Sequence, residues 1–295
     1  MLNTLVRVFS SAIAGFIRDE GVMMAGHLAF IGLVSLFPFV IFTIAVAGSV
    51  GDTSAGQDAI VLALSYLPPE VAAALSKPIN HILSGTPRGI LTASGIVALW
   101  TASSGLDAAR VAVRRAFHWA KVQPALKRRA QSIGIAAVAP LFVLPIMALQ
   151  IGGPAVWDMI GGAYFDQGII EQSWKLLRLL VTPAVLFCIL YAAYFVFAPY
   201  RIRPIAIWPG ALTTAVLWLT IANGLSIYLR NLADYQSTYG SLAGTMVTLV
   251  FFFLLAIAFV FGAEVNAAVT ELRKGGDLGT ALRPSAPTPQ SPPDA

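Results

Sequence analysis

Few side chains in this chain could do chemistry, and their spacing narrows the kinds of chemistry available. The three histidines, His27, His81 and His118, lie far apart, and no His-x-His or His-Glu-x-x-His spacing offers a set of metal ligands. The single cysteine, Cys188, can form neither an intramolecular disulfide nor a thiolate zinc cluster. No Gly-rich loop ending in Lys-Ser/Thr is present to cradle a nucleotide phosphate, and no Gly-x-Ser-x-Gly elbow presents a nucleophile. These residues point away from an enzyme and call for no cofactor or metal.

What remains is a set of polar and ionisable groups close to long apolar stretches: His27, Asp107, Arg110, Arg201, Arg203, Glu264 and Asn266. Charges at membrane depth are costly to keep, so such groups are the first candidates for function. They are expected to converge on one polar rim, with Glu264 pairing Arg201, Arg203 or Arg110, and to bind or admit the headgroup of an amphiphile. The plainer reading is a set of ion pairs that fix helix ends. Full activity and expression in a Glu264→Gln variant would leave only the plainer reading.

The elements that must position these groups are membrane helices. The chain is 57% hydrophobic and only 11% charged, against about 25% charged in soluble domains. Six windows lack charge: Gly21 to Gly51, Gly89 to Leu106, Ala130 to Trp157, Leu179 to Tyr200, Pro204 to Leu229 and Tyr235 to Ala263. Roughly 20 apolar residues span the hydrocarbon core as a helix. The second window is the shortest and the richest in Thr, Ser and Gly. The apolar runs are continuous, which excludes the alternation of a membrane barrel. The expected fold is an all-α polytopic bundle of six transmembrane helices.

Orientation follows from the basic residues, which accumulate on cytoplasmic loops. With both termini inside, fourteen of the nineteen Lys and Arg residues fall on the inner side and five on the outer. The run Lys127-Arg128-Arg129 lies in the basic inner loop near 108–131, where the orientation rule alone requires positive charge and where anionic headgroups are the natural partners. No nucleic-acid partner is called for.

Around the spans, residues 1–20 form an amphipathic helix, with Leu2, Val6, Phe9, Ile13 and Phe16 at helical spacing opposite Arg7, Ser11 and Arg18, suited to the inner interface. The transmembrane domain covers 21–272, with outer segments near 52–88 and 153–176. Residues 273–295 form a Pro-rich cytoplasmic tail with too little apolar content to fold. Pro38, Pro140 and Pro145 are expected helix kinks. Gly240-x-x-x-Gly244 and Ala98-x-x-x-Ala102 mark close helix contacts.

Several stretches, in order, resemble the YihY/BrkB family, which long carried the label ribonuclease BN. They are Ala25-Gly26-His27-Leu28-Ala29-Phe30 leading to Ser35-Leu36-Phe37-Pro38, then Leu99-Trp100-Thr101-Ala102-Ser103-Ser104-Gly105-Leu106, then Trp208-Pro209-Gly210-Ala211, Tyr239-Gly240-Ser241-Leu242-Ala243 and Gly262-Ala263-Glu264-Val265-Asn266. One departure is visible: Ala29-Phe30-Ile31 stands where the family often shows Ala-Tyr-Tyr, so no role for those hydroxyls carries over. The resemblance implies a multi-pass protein of the bacterial inner membrane concerned with the envelope and with lipid or lipopolysaccharide export. Its ribonuclease label agrees with nothing in the residues. The expectation is therefore a membrane protein that handles or transports a lipid or other amphiphile; the alternative is a scaffold that recruits envelope protein partners.

Overall fold

The structure is a computed structural model that describes residues 2–50, 88–118, 124–142, 167–199, 202–231 and 242–273. It is helical throughout these residues. The helices are α1 (Leu2–Arg18), α2 (Gly21–Val50), α3 (Arg88–Ala116), α4 (residues 125–142), α5 (Gln167–Phe197), α6 (Trp208–Asn231) and α7 (Leu242–Arg273), with a single 3-10 turn, Pro204–Ala206, before α6.

Five of the helices are long and apolar enough to cross a membrane: α2, α3, α5, α6 and α7. The window expected at Ala130 to Trp157 is helical to residue 142, and its remainder lies outside the described residues. So do the outer segment 52–87, Pro145, Gly240, and the tail from 274. Large apolar side chains such as Phe30, Trp100, Ile189, Phe195, Leu212 and Val216 stand exposed on the bundle surface. Hydrocarbon is as apolar as they are, so a membrane bundle has no reason to hide them and packs small residues inside instead.

That inversion is visible where α2 meets α3 and where α1 meets α7, while the core shared by α3, α5, α6 and α7 also buries Leu190, Tyr194, Phe197 and Phe259. Between α2 and α3, Ala25, Ala29 and Ala112 are buried together, and Gly105 lies against Ser35 and Gly32. Ala98 and Ala102, the small pair read from the sequence, are both buried. Helix α1 follows the same rule. Its buried stripe is Val8, Ala12 and Gly15, set against Val265, Ala268 and Glu264 of α7, while Val6, Phe9, Ile13 and Ile17 are exposed. The small face of α1 docks, the rings of Phe9 and Phe16 border Phe261 of α7, and Val6, Ile13 and Ile17 face outward.

Helix α3 differs from its expected window, which ended at Asp107. It continues without a break to Ala116. Counting charges ended the window too early because the charges that follow are held by neighbours: Asp107 ion-pairs with Arg128 at 3.0 Å, Arg110 is buried against Phe197, and Arg115 in the last turn ion-pairs with Glu20. Of the basic segment 108–131, residues 108–116 belong to α3 and 125–131 to α4, and residues 119–123 lie outside the described residues. Helix α2 runs through Pro38, and Pro140 is fully buried within α4. Pro183 inside α5 is a further intrahelical proline.

Candidate functional site

The charged ends meet on one side of the bundle. Arg115 near the end of α3 ion-pairs with Glu20 at the start of α2 at 3.1 Å, and Arg110 of α3 lies over Phe197, the last residue of α5, at 5.6 Å. The start of α6 packs on the end of α7 through Gly210 and Asn266. The residues named from the sequence do not form one rim, however. They separate into groups with different neighbours.

Glu264 and Asn266 illustrate why. Two positions apart on a helix of 3.6 residues per turn, they point about 200° apart. Glu264, 4% exposed, turns towards α1 and sits against the backbone of Gly15, in a small polar recess with Ser11, Arg18, His118 and Glu271. Its charged neighbours are therefore Arg18, Asp19 and Glu271, not Arg110. At the mouth of this recess His118 Nε2 lies 2.9 Å from Asp19 Oδ2 and 2.6 Å from a guanidinium nitrogen of Arg18. One ring nitrogen cannot donate to the first and accept from the second, so the proton on His118 decides which contact holds. Glu20 and His118, on the two corners joined here, both adopt left-handed backbone conformations (φ 55 and 49), uncommon for residues other than glycine.

Asn266 does a different job. Its Oδ1 accepts the backbone N–H of Gly210 at 2.7 Å. Gly210 lies in the first turn of α6, where N–H groups have no intrahelical partner, so Asn266 caps α6 from a neighbouring helix. Helices α6 and α7 approach so closely that a Cβ on Gly210 would collide with the carbonyl of Gly262, and one on Gly262 with Thr214. Around this contact Tyr194 donates to the Phe259 carbonyl at 2.6 Å and shares a 2.7 Å hydrogen bond with Thr214, whose hydroxyl also lies 3.2 Å from the Ala258 carbonyl. The Tyr194 ring stacks on Phe259. One turn along, Trp218 Nε1 donates to the Leu255 carbonyl at 2.9 Å. Sequence reasoning missed Tyr194, Thr214 and Trp218. The available signal was the pair of glycines, Gly210 and Gly262, in facing helices.

The same two helices part in their other halves. Ile221, Gly224, Leu225 and Tyr228 of α6, at successive positions of one helical face, oppose Met246, Val247, Val250 and Leu254 of α7 across a cavity of about 400 Å3. Nothing charged lines it. Gly224 has open space where a side chain would begin.

The third group joins α3 to α4. Asp107, Arg110 and Arg114 share a face of α3 by their spacing. Arg128 pairs with Asp107, while Arg110, 3% exposed, donates to the Arg128 carbonyl at 3.0 Å and to Gln131 at 3.3 Å. The Arg128–Asp107 contact is an ion pair by distance although its alignment is too poor for a hydrogen bond at Arg128 Nε. Arg129 donates to the Trp100 carbonyl at 2.7 Å and to Ser104 at 3.1 Å, with its guanidinium 4.4 Å from the centre of the Trp100 ring. Of the remaining expected residues, His27 and Arg203 are exposed and Arg201 lies outside the described residues. Among the described residues, no group of three or more His, Cys, Asp or Glu could hold a metal ion.

A bundle of long apolar helices with small residues inside and large ones outside defines a multi-pass membrane protein. Residues 12–286 match the family described as Virulence factor BrkB, and the chain belongs to that family. It is 29% identical over 257 residues to the ribonuclease-like protein YfkH of Bacillus subtilis, covering 86% of this chain and 92% of that one. It is 24% identical over 263 residues to a UPF0761 membrane protein of Aliivibrio salmonicida (86% and 80%). A UPF0761 membrane protein of Xanthomonas campestris is 23% identical over 274 residues, 88% of this chain and 59% of that one. No solved structure matches. The family and the fold place the chain in the inner membrane. The UPF0761 relatives are named as membrane proteins, in line with a non-enzymatic protein, and the ribonuclease-like name of YfkH stands apart from them.

Proposed function

We propose that this chain is a six-span protein with both termini in the cytoplasm that maintains the envelope by binding an amphiphile, a phospholipid or glycolipid, and moving it across or along the inner membrane. The observation that carries the reading is the groove between α6 and α7. It is apolar, lies within two helices suited to crossing the membrane, and has a volume of about 400 Å3, within the range of small-molecule sites. Hydrocarbon is what surrounds such a groove, so an acyl chain is the occupant its chemistry favours. The excess of Lys and Arg on one set of helix ends supports the orientation.

The test is reconstitution of the full chain in vesicles carrying a lipid labelled in one leaflet. Redistribution faster than in protein-free vesicles is expected, and Gly224→Phe, which puts a ring into open space in the groove, should slow it several-fold while leaving folding intact. Equal redistribution with and without protein, under conditions where a known scramblase works, overturns the reading. Cellular crosslinking that gives protein adducts at Lys121 to Arg129, with no lipid in the bundle, would establish the scaffold instead.

A further inference from the structure

Helix α6 has a side that neither of its neighbours uses. Gly210, Thr214 and Trp218 meet α7, and Ala211 and Ala215 are buried in the core shared with α5. At about 100° per residue, Val216, Thr220, Asn223 and Ile227 fall on one stripe about 60° wide, turned away from both neighbours. All four are exposed. Val216 and Ile227 belong against hydrocarbon, but Asn223 does not. It lies within the stretch of α6 suited to crossing the membrane, Trp208–Tyr228, so its amide faces lipid, where nothing can hydrogen-bond to it. Nor does it reach for headgroups. Its Nδ2 donates to the Leu219 carbonyl at 2.7 Å, one turn back towards the middle of the span and away from the nearer helix end at Asn231. That bond leaves the second N–H of Nδ2 and, among the described residues, the whole of Oδ1 without a partner.

The spacing says what kind of partner fits. Intervals of four, three and four residues make the seam of a two-helix coiled coil, in which a single Asn among apolar residues fixes register and the number of strands. In a membrane such seams cross at about 20° and are held by van der Waals packing and by polar side chains that hydrogen-bond across the helices. We infer that this stripe is an interface with a second copy of the same chain, in which the two Asn223 side chains exchange amide hydrogen bonds across a two-fold axis normal to the membrane. Two features favour a second copy over a different helix. An Asn amide is both donor and acceptor, so it complements itself. Copies inserted in the same orientation hold residue 223 at the same depth, and a two-fold axis then brings like residues face to face. The stripe and the groove are on different sides of α6, and the inference does not rest on the lipid-handling reading.

The test is association of the full-length protein in a bilayer. Copies labelled at the C-terminus with donor or acceptor dyes are reconstituted in vesicles of phosphatidylethanolamine and phosphatidylglycerol, and energy transfer is followed as lipid is added. Wild-type protein should pair reversibly. Asn223→Leu should need roughly three- to ten-fold more protein per lipid to pair to the same extent, with Asn223→Gln closer to wild type because it keeps the amide. In a Cys188→Ser background, Ile227→Cys should crosslink to its counterpart on oxidation, whereas Phe195→Cys, exposed on α5, should not. The inference is overturned by no energy transfer in the wild type, by pairing of equal strength in wild type and Asn223→Leu, or by an Ile227→Cys crosslink no stronger than that of Phe195→Cys. Should Asn223→Leu fail to fold, the wild-type titration and the two cysteine variants still decide it.

Discussion

Two of the three polar groups in this bundle differ in charge and in the helices they join. The one joining α5, α6 and α7 is neutral: Tyr194 and Trp218 donate to carbonyls of α7, Thr214 shares its hydroxyl between Tyr194 and the Ala258 carbonyl, and Asn266 takes the Gly210 N–H while its Nδ2 has no acceptor. The other, joining α3 and α4, is cationic and leaves Arg114 Nε, Arg129 Nε and Ser132 Oγ without acceptors. In a low-dielectric interior hydrogen-bonded networks rigidify the packing around them, and each donor left without an acceptor costs free energy. The first group, which joins three helices through neutral hydrogen bonds, is therefore expected to contribute more to stability than the second.

Substitutions can break this contrast. The largest loss of stability is expected at Gly262, where any side chain collides with Thr214 and Tyr194. Gly262→Leu should cost about 3 kcal/mol or more by overpacking, seen as aggregation or a collapsed melting temperature in detergent. Next, Asn266→Leu strands the Gly210 N–H and should cost about 1–3 kcal/mol, measured as a lowered melting temperature. Tyr194→Phe removes the donor to Phe259 but keeps the ring, for about 1 kcal/mol by the same assay. Smallest is Arg129→Gln, which loses its bonds to the Trp100 carbonyl and Ser104 and its place over the Trp100 ring, for about 1 kcal/mol, read as a small fall in melting temperature. A large stability loss in Arg129→Gln alongside a mild one in Asn266→Leu would reverse the roles assigned to the two groups.

The sequence showed the helices well and the contacts poorly, for a physical reason in each case. Uncharged windows reveal a span because charge is expelled from hydrocarbon, but compensated charges such as Asp107 with Arg128 break the count. The candidate rim was drawn from residue types and depth. Helical phase then sent Glu264 to α1 and Asn266 to α6, and phase relative to unseen neighbours is not written in the letters. For α1 the sequence draws attention to the large apolar residues, yet the docking face is Val8, Ala12 and Gly15. In water the large face would dock; in lipid close approach of backbones does. Tyr194 passed unnoticed because a tyrosine in an apolar window reads as bulk until its hydroxyl partner is known.

The joining of α6 and α7 at one end only also has a mechanical meaning. Trp218 bonded to Leu255 is the last clamp before the helices part, and from there to Tyr228 the free arm is about 15 Å long at the helical rise. Bending α6 by about 10° beyond that point would carry Tyr228 roughly 2.5 Å sideways, while the stretch from Gly210 to Trp218 stays seated on α7. The groove would widen or shut by about the radius of a methylene chain without breaking one hydrogen bond of the clamp.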